Sequence, residues 1–140
     1  IWIKSNETLD FISSSEGELS TIERFKFSDQ DSMPANSKSR NKITNKIKVK
    51  TISLNDLINI EFNKSAPSYI SIDTEGSEFD ILKSFDFKNF KPKVFTIEHN
   101  YSSLEKQIDK LLEKNNFERV FCKLTAFDAW YVSNEALKTV

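Results

Sequence analysis

Tyr69-Ile70-Ser71-Ile72-Asp73-Thr74-Glu75-Gly76-Ser77-Glu78-Phe79-Asp80-Ile81-Leu82 is the stretch that decides the fold of this 140-residue chain. An apolar strand over 69–73 ends on an acid, turns through a glycine and runs straight into a helix over 77–85. In an open α/β sheet such a turn lies at the carboxyl edge of the strand, where these folds bind ligands and place catalytic groups. Glu75 and Glu78 sit in or beside the same turn, and one of only two glycines in the chain is used there. Acids gathered around a scarce glycine point to chemistry.

The pattern continues outward in both directions. The helix after the turn places Glu78, Ile81, Leu82 and Phe85 on one face by the i, i+3, i+4, i+7 rule. Pro92 precedes a strand over 93–98, and a helix over 102–115 aligns Leu104, Ile108, Leu111 and Leu112. Asn115-Asn116 is a left-handed stop in place of glycine. Strands over 118–123 and 128–133 are too close for a crossover and must pair antiparallel. Upstream, Ile47, Val49 and Thr51 alternate with lysines, as in an edge strand protected against pairing with another chain. Ser53-x-x-Asp56 is an approximate capping box for a short helix carrying Leu54, Leu57 and Ile58, and Pro67 breaks the chain before Tyr69. Residues 1–27 are expected to be extended segments joined by turns. Residues 28–45, poor in large apolar side chains, are expected to form a surface loop with no buried element. Trp2 is expected to pack on a part of the fold outside this chain. Periodicity therefore gives an α/β class.

Bulk properties narrow the function classes. Apolar content of 38% with 29% charged residues is ordinary for a globular chain. A chain of this length buries roughly two-thirds of its unfolded surface. A net charge of -1 gives no global field for nucleic acid. The lone Cys122 excludes an internal disulfide and fits a reducing, cytoplasmic setting. No apolar run approaches the ~20 residues needed to cross a bilayer. Lys38, Arg40, Lys42, Lys46, Lys48 and Lys50 form a basic run with no acid among them. Its plain reading is a solvated loop leading to a lysine-protected edge; its sharper one is attraction of an anionic acceptor. Without interleaved aromatic residues it does not read as a nucleic-acid site.

Three blocks carry a family resemblance. Ile72-Asp73-Thr74-Glu75-Gly76-Ser77-Glu78 resembles the "iDvEGaE" segment of FkbM-type methyltransferases. Val49-Lys50-Thr51-Ile52-Ser53-Leu54-Asn55-Asp56-Leu57-Ile58 is similar to that family's "v-x-t-i-x-L-D-d-L" element, with Asn55 where the family usually has an acid. Val94-Phe95-Thr96-Ile97-Glu98-His99-Asn100 resembles its next strand, which ends in a Glu-x-His/Asn-like group. Leu19-Ser20-Thr21-Ile22 resembles a serine/threonine patch of the family, a plain loop being the other reading. The likeness runs from about residue 47 to 132 and is thin before Lys46.

The resemblance implies a Rossmann-like class I methyltransferase sheet in part, its parallel strands closed by a terminal antiparallel hairpin. It also implies S-adenosylmethionine as donor and O-methylation of a sugar or other hydroxylated metabolite. Class I methyltransferases hold that donor on a glycine-rich loop, and here the glycines are Gly17 and Gly76, with no G-x-G. The expectation is the acceptor-side, carboxyl-terminal half of a longer enzyme, inactive alone, with the cofactor-binding residues in the missing half. In that division residues 1–46 are irregular or extended and 47–140 are the half-domain.

Transfer to a hydroxyl requires the acceptor to be aligned and its proton removed. The two strand ends supply the candidates. Asp73, Glu98 and His99 form the expected catalytic set: Asp73 faces the crevice or caps the helix, while Glu98 orients His99 or binds the acceptor. An imidazole with a pKa of about 6.5 takes a hydroxyl proton at neutral pH. Thr74, Glu75 and Asn100 are expected to contact the acceptor, and Glu78 to serve the helix macrodipole. The expected partner is a small hydroxylated acceptor, a glycan or an anionic sugar, with no nucleic acid and no membrane. One alternative is Mg²⁺ held by Asp73, Glu98 and Asn100, oxygen ligands suited to a hard cation, or a divalent-metal hydrolase on Asp73 and Glu98. Another is a non-catalytic half-sheet whose strand over 69–73 pairs with a partner chain or a second copy, giving a homo-oligomer.

Overall fold

The computed structural model describes residues 1–15, 17–40 and 43–138; Glu16, Asn41, Lys42, Thr139 and Val140 lie outside that description, and with them one member of the basic run. The first strand, β1 (Thr8–Ser14), pairs antiparallel with the two-residue β2 (Thr21–Ile22). A short helix, α1 (Pro34–Arg40), then leads to β3 (Ile43–Lys50), which runs antiparallel along β1 and completes a sheet of order β2-β1-β3. Edge strand β3 is protected as its lysines imply: Lys46 pairs with Glu23 at 2.7 Å and with Asp10 at 3.5 Å, and Lys48 with Asp10 at 3.0 Å. These pairs are exposed and screened by solvent, and contribute little to stability.

Three expectations change here. The stretch 28–45 is not a loop without buried parts: it holds α1 and the start of β3, and Asp29 is buried. Asp29 O accepts from Met33 N at 2.7 Å, and its carboxylate accepts from the Asn36 side chain at 3.2 Å. With Pro34 preorganised for the first turn, a polar segment becomes helical without an apolar stripe. The boundary expected at residue 46 falls inside β3. Trp2 packs within the chain, edge-on to Phe25 at 5.9 Å and under the Arg24 guanidinium at 4.1 Å, with 3% of its surface exposed.

The remaining elements follow the sequence pattern closely. Ser53 caps α2 (Leu54–Glu61) by accepting from Asp56 N at 3.0 Å. Next come β4 (Tyr69–Ile72), α3 (Glu78–Ser84), β5 (Val94–Glu98), α4 (Glu105–Lys114), β6 (Phe117–Val120), β7 (Asp128–Ser133) and α5 (Asn134–Leu137). β4 and β5 are parallel, and β7 enters antiparallel between β5 and β6, giving the order β4-β5-β7-β6. This mixed α/β architecture of two sheets is consistent with part of a methyltransferase-like fold. One face of the second sheet, with Ile70, Ile72, Phe95, Ile97 and Tyr131, joins Ile58, Ile81, Leu82, Ile108 and Leu112 of the helices in one buried cluster. Truncating such a fully buried leucine or isoleucine to alanine costs about 2–5 kcal/mol. Asn116, at φ 65, supplies the left-handed stop after α4.

Candidate functional site

The turn between β4 and α3 is held by its own acid. Glu78, buried in the first turn of α3, accepts from Thr74 N at 2.7 Å, Thr74 Oγ1 at 2.9 Å and Gly76 N at 3.0 Å. Ser77 Oγ donates to Thr74 Oγ1 at 2.8 Å. These bonds hold Glu75 in the left-handed region at φ 58, which L-residues rarely enter, followed by Gly76 at φ 114. Strain of this kind persists where surrounding contacts over-determine it. From the first sheet, fully buried Thr21 donates its hydroxyl to Glu75 O at 2.8 Å.

The strand register brings the second acid alongside. Ile72 of β4 lies opposite Ile97 of β5, and Glu98 is the next residue along, itself opposite Asp128 of β7. Asp73, Glu75 and Glu98 offer carboxylate oxygens that all lie within 4.8 Å of one another. Burial, then the negative charges of Glu75, Asp73 and Glu78, push the Glu98 carboxyl up to about 9; a hydrogen bond from the Asn100 side chain opposes them. At neutral pH Glu98 is therefore a carboxylic acid, able to donate one hydrogen bond where its neighbours only accept. The cluster opens into a crevice of about 560 Å³, whose walls include Glu18, Leu19, Met33, Phe127 and Asp128.

His99 is not among the walls of that crevice; it lines a smaller pocket on the same turn, with Glu75, Glu78 and Glu98. Its Nδ1 accepts from Tyr101 N at 3.1 Å and lies 3.7 Å from Glu105, while Nε2 is 3.5 Å from the Arg119 guanidinium. Arg119 in turn binds Glu105 at 2.8 Å and Asp109 at 3.2 Å, and Tyr131 Oη donates to Asp109 at 2.7 Å. Burial holds the imidazole below its ordinary pKa, against the pull of Glu105. The left-handed pair Asn100 (φ 44) and Tyr101 (φ 54) turns the chain here, and Phe127 O receives the N–H groups of His99 at 2.9 Å and Asn100 at 3.3 Å.

The structure thus gathers Asp73, Glu75 and Glu98, with Asn100 on the wall of the same crevice. Thr74 is engaged with Glu78, and the ring nitrogens of His99 with Tyr101, Arg119 and Glu105. Thr21 and Asp128 were not among the expected site residues. The serine/threonine patch is the sequence signal that marks Thr21.

Oxygen donors for a divalent cation exist in Asp73, Glu75 and Glu98, but acids cluster this way without an ion, and Mg²⁺ has no support here. An adenosyl donor needs glycine where backbone must approach it closely. Gly17 lies in a single 3₁₀ turn and Gly76 is packed against Ser28, so neither forms such a loop, and no residue of this chain is assigned to the donor. Among the described residues no helix is long and apolar enough to cross a membrane.

Residues 4–119 match the sequence model of the Methyltransferase FkbM domain. No curated protein and no solved structure matches the chain.

Proposed function

The chain belongs to the FkbM methyltransferase family, and on that premise we propose that it serves O-methylation of a hydroxylated small molecule, a sugar or related metabolite, by holding the acceptor at the ends of β4 and β5. S-adenosylmethionine, the usual donor of such enzymes, supplies the methyl group when bound; its binding residues lie outside those assigned here, and the chain alone is expected to be inactive. The observation that carries this reading is the convergence of Asp73, Glu75 and Glu98 from two adjacent parallel strand ends. Two neighbouring hydroxyls suit such a set. One would donate to the Asp73 carboxylate, which is placed to take its proton. The other accepts from the Glu98 O–H and donates to Glu75. His99, neutral and bonded to the Tyr101 N–H, keeps the loop that carries Asn100 in place.

The test is methyl transfer by the full protein to a panel of hydroxylated acceptors, read by mass spectrometry. D73N is expected to lower kcat by about 100-fold, the usual scale of a lost general base, and E98Q to retain more activity because glutamine still donates. Wild-type rates in D73N, or methylation at a nitrogen, would overturn the assignment.

A second reading draws on the position of β4 at the edge of its sheet among the described residues. An unpaired edge is a template for another strand, and a second copy could occupy it. Light scattering that gives a monomer at high concentration removes that reading.

A further inference from the structure

The Glu75–Gly76 peptide is gripped at both of its polar atoms. Its carbonyl oxygen accepts from Thr21 Oγ1 at 2.8 Å, and its N–H donates to both carboxylate oxygens of Glu78 at 3.0 Å. It joins a left-handed glutamate to a glycine at φ 114. Such a peptide turns over easily, because glycine has no Cβ to oppose the rotation. Its orientation is therefore set by what holds it. The Glu78 bond is local and comes with the first turn of α3. The Thr21 bond comes from the other sheet, 54 residues away in sequence. Thr21 has 0% of its surface exposed, and its place is fixed by pairing with Ile12 across β1 and β2. A buried hydroxyl of this kind needs a partner, and the Glu75 carbonyl is the partner it has. The segment that follows closes on the same turn: a Cβ on Gly76 would lie 2.3 Å from Ser28 Oγ and 3.1 Å from Phe25 Cβ.

We propose that Thr21 is a positioning residue, whose hydroxyl fixes the Glu75–Gly76 peptide and with it the left-handed backbone from which the Glu75 carboxylate reaches Asp73 and Glu98. This rests on reading that cluster as the acceptor site. The first sheet then belongs to the working site, although none of its strands carries a member of the acid cluster.

The experiment compares T21V, which keeps shape and loses the hydroxyl, with T21S, which keeps the hydroxyl, in the full protein. In T21V the Gly76 amide is expected to shift in the NMR spectrum and to exchange with solvent at least about ten-fold faster. The kcat/KM for the acceptor is expected to fall about ten-fold, as a small displacement of a binding group produces, while KM for the methyl donor stays unchanged. T21S restores both. A merely structural threonine would lower the unfolding midpoint and move neither the amide nor the split between acceptor and donor. T21A serves the same comparison if T21V does not fold. A Gly76 amide unchanged in the hydroxyl-free variants overturns the proposal, whatever the activity. If instead T21V frees the amide while D73N and E98Q leave methyl transfer intact, the positioning stands and the acceptor-site reading fails.

Discussion

Gly76 shows how tightly one residue can be specified. Its φ of 114 lies outside the range of L side chains, and the volume a Cβ would fill is taken by Ser28 and Phe25. The two penalties are independent, one of backbone strain and one of overpacking, so they add. G76A is predicted to lower stability by about 2–4 kcal/mol, measured as a shifted urea midpoint with an unchanged slope. A midpoint within error of wild type would mean that residues 25–28 yield at little cost. This glycine was legible in the sequence as the pivot of the turn, and Asp73, Glu75 and Glu98 as residues of one sheet edge, because parallel strands end on the same side. The direction of a side chain was not legible. His99 follows Glu98 directly, yet its ring is set by Glu105 and Arg119, partners that no local pattern announces.

At the scale of elements, Asn55 joins two helices. From the first turn of α2 its amide donates to Ser84 O at 2.9 Å and accepts from Asp86 N at 3.0 Å, closing the end of α3. An aspartate, the acid that the family resemblance implies there, could accept from Asp86 N but could not donate to Ser84 O. N55D is therefore predicted to cost about 1–3 kcal/mol, the penalty of a carbonyl left without its donor beside a carboxylate, read by chemical denaturation. A neutral N55D would mean that water replaces the amide. The helices α2, α3 and α4 and the strands β4 and β7 were readable because each has an apolar period, 3.6 or 2, that buries one face, and β5 because its short apolar run is buried on both. α1 has no such stripe; its helix rests on Pro34 and on the contacts of Asp29, which composition does not reveal. The long pairing of β1 with β3 was hidden for a similar reason. Residues more than thirty positions apart, such as Leu9 and Val49, define it, and the alternating lysines mark β3 only as an edge.

Across the whole molecule, the two sheets meet at the β4–α3 turn through the Thr21–Glu75 bond, the Arg24–Asp80 ion pair and the Ser28 contact on Gly76. Folding therefore assembles the acid cluster, and the charge gathered there feeds back on stability. Glu98 titrates at about 9 in the folded chain against an ordinary 4.5, so the folded state keeps a proton that the unfolded chain releases in between. Its stabilising contribution is complete below pH 4.5 and is lost as pH rises towards 9. His99 works in the opposite sense: its folded pKa lies below the ordinary 6.5, so its contribution is complete above that value and is lost as pH falls through the folded pKa. Between 4.5 and 6.5 the two oppose each other, and above 6.5 only the Glu98 effect remains. Stability is thus predicted to decline from pH 6.5 to 9. With Glu98 partly open to solvent, screening reduces the effect to about 1–2 kcal/mol, or about 3–8 °C in Tm for a chain of this size. E98Q, which has no proton to lose, should flatten that decline and unfold at a higher temperature than wild type at pH 9, in calorimetric scans of both proteins across the range. Parallel profiles for the two would show that ionisation of Glu98 is relieved by rearrangement of the cluster, and that the acids do not oppose folding at alkaline pH.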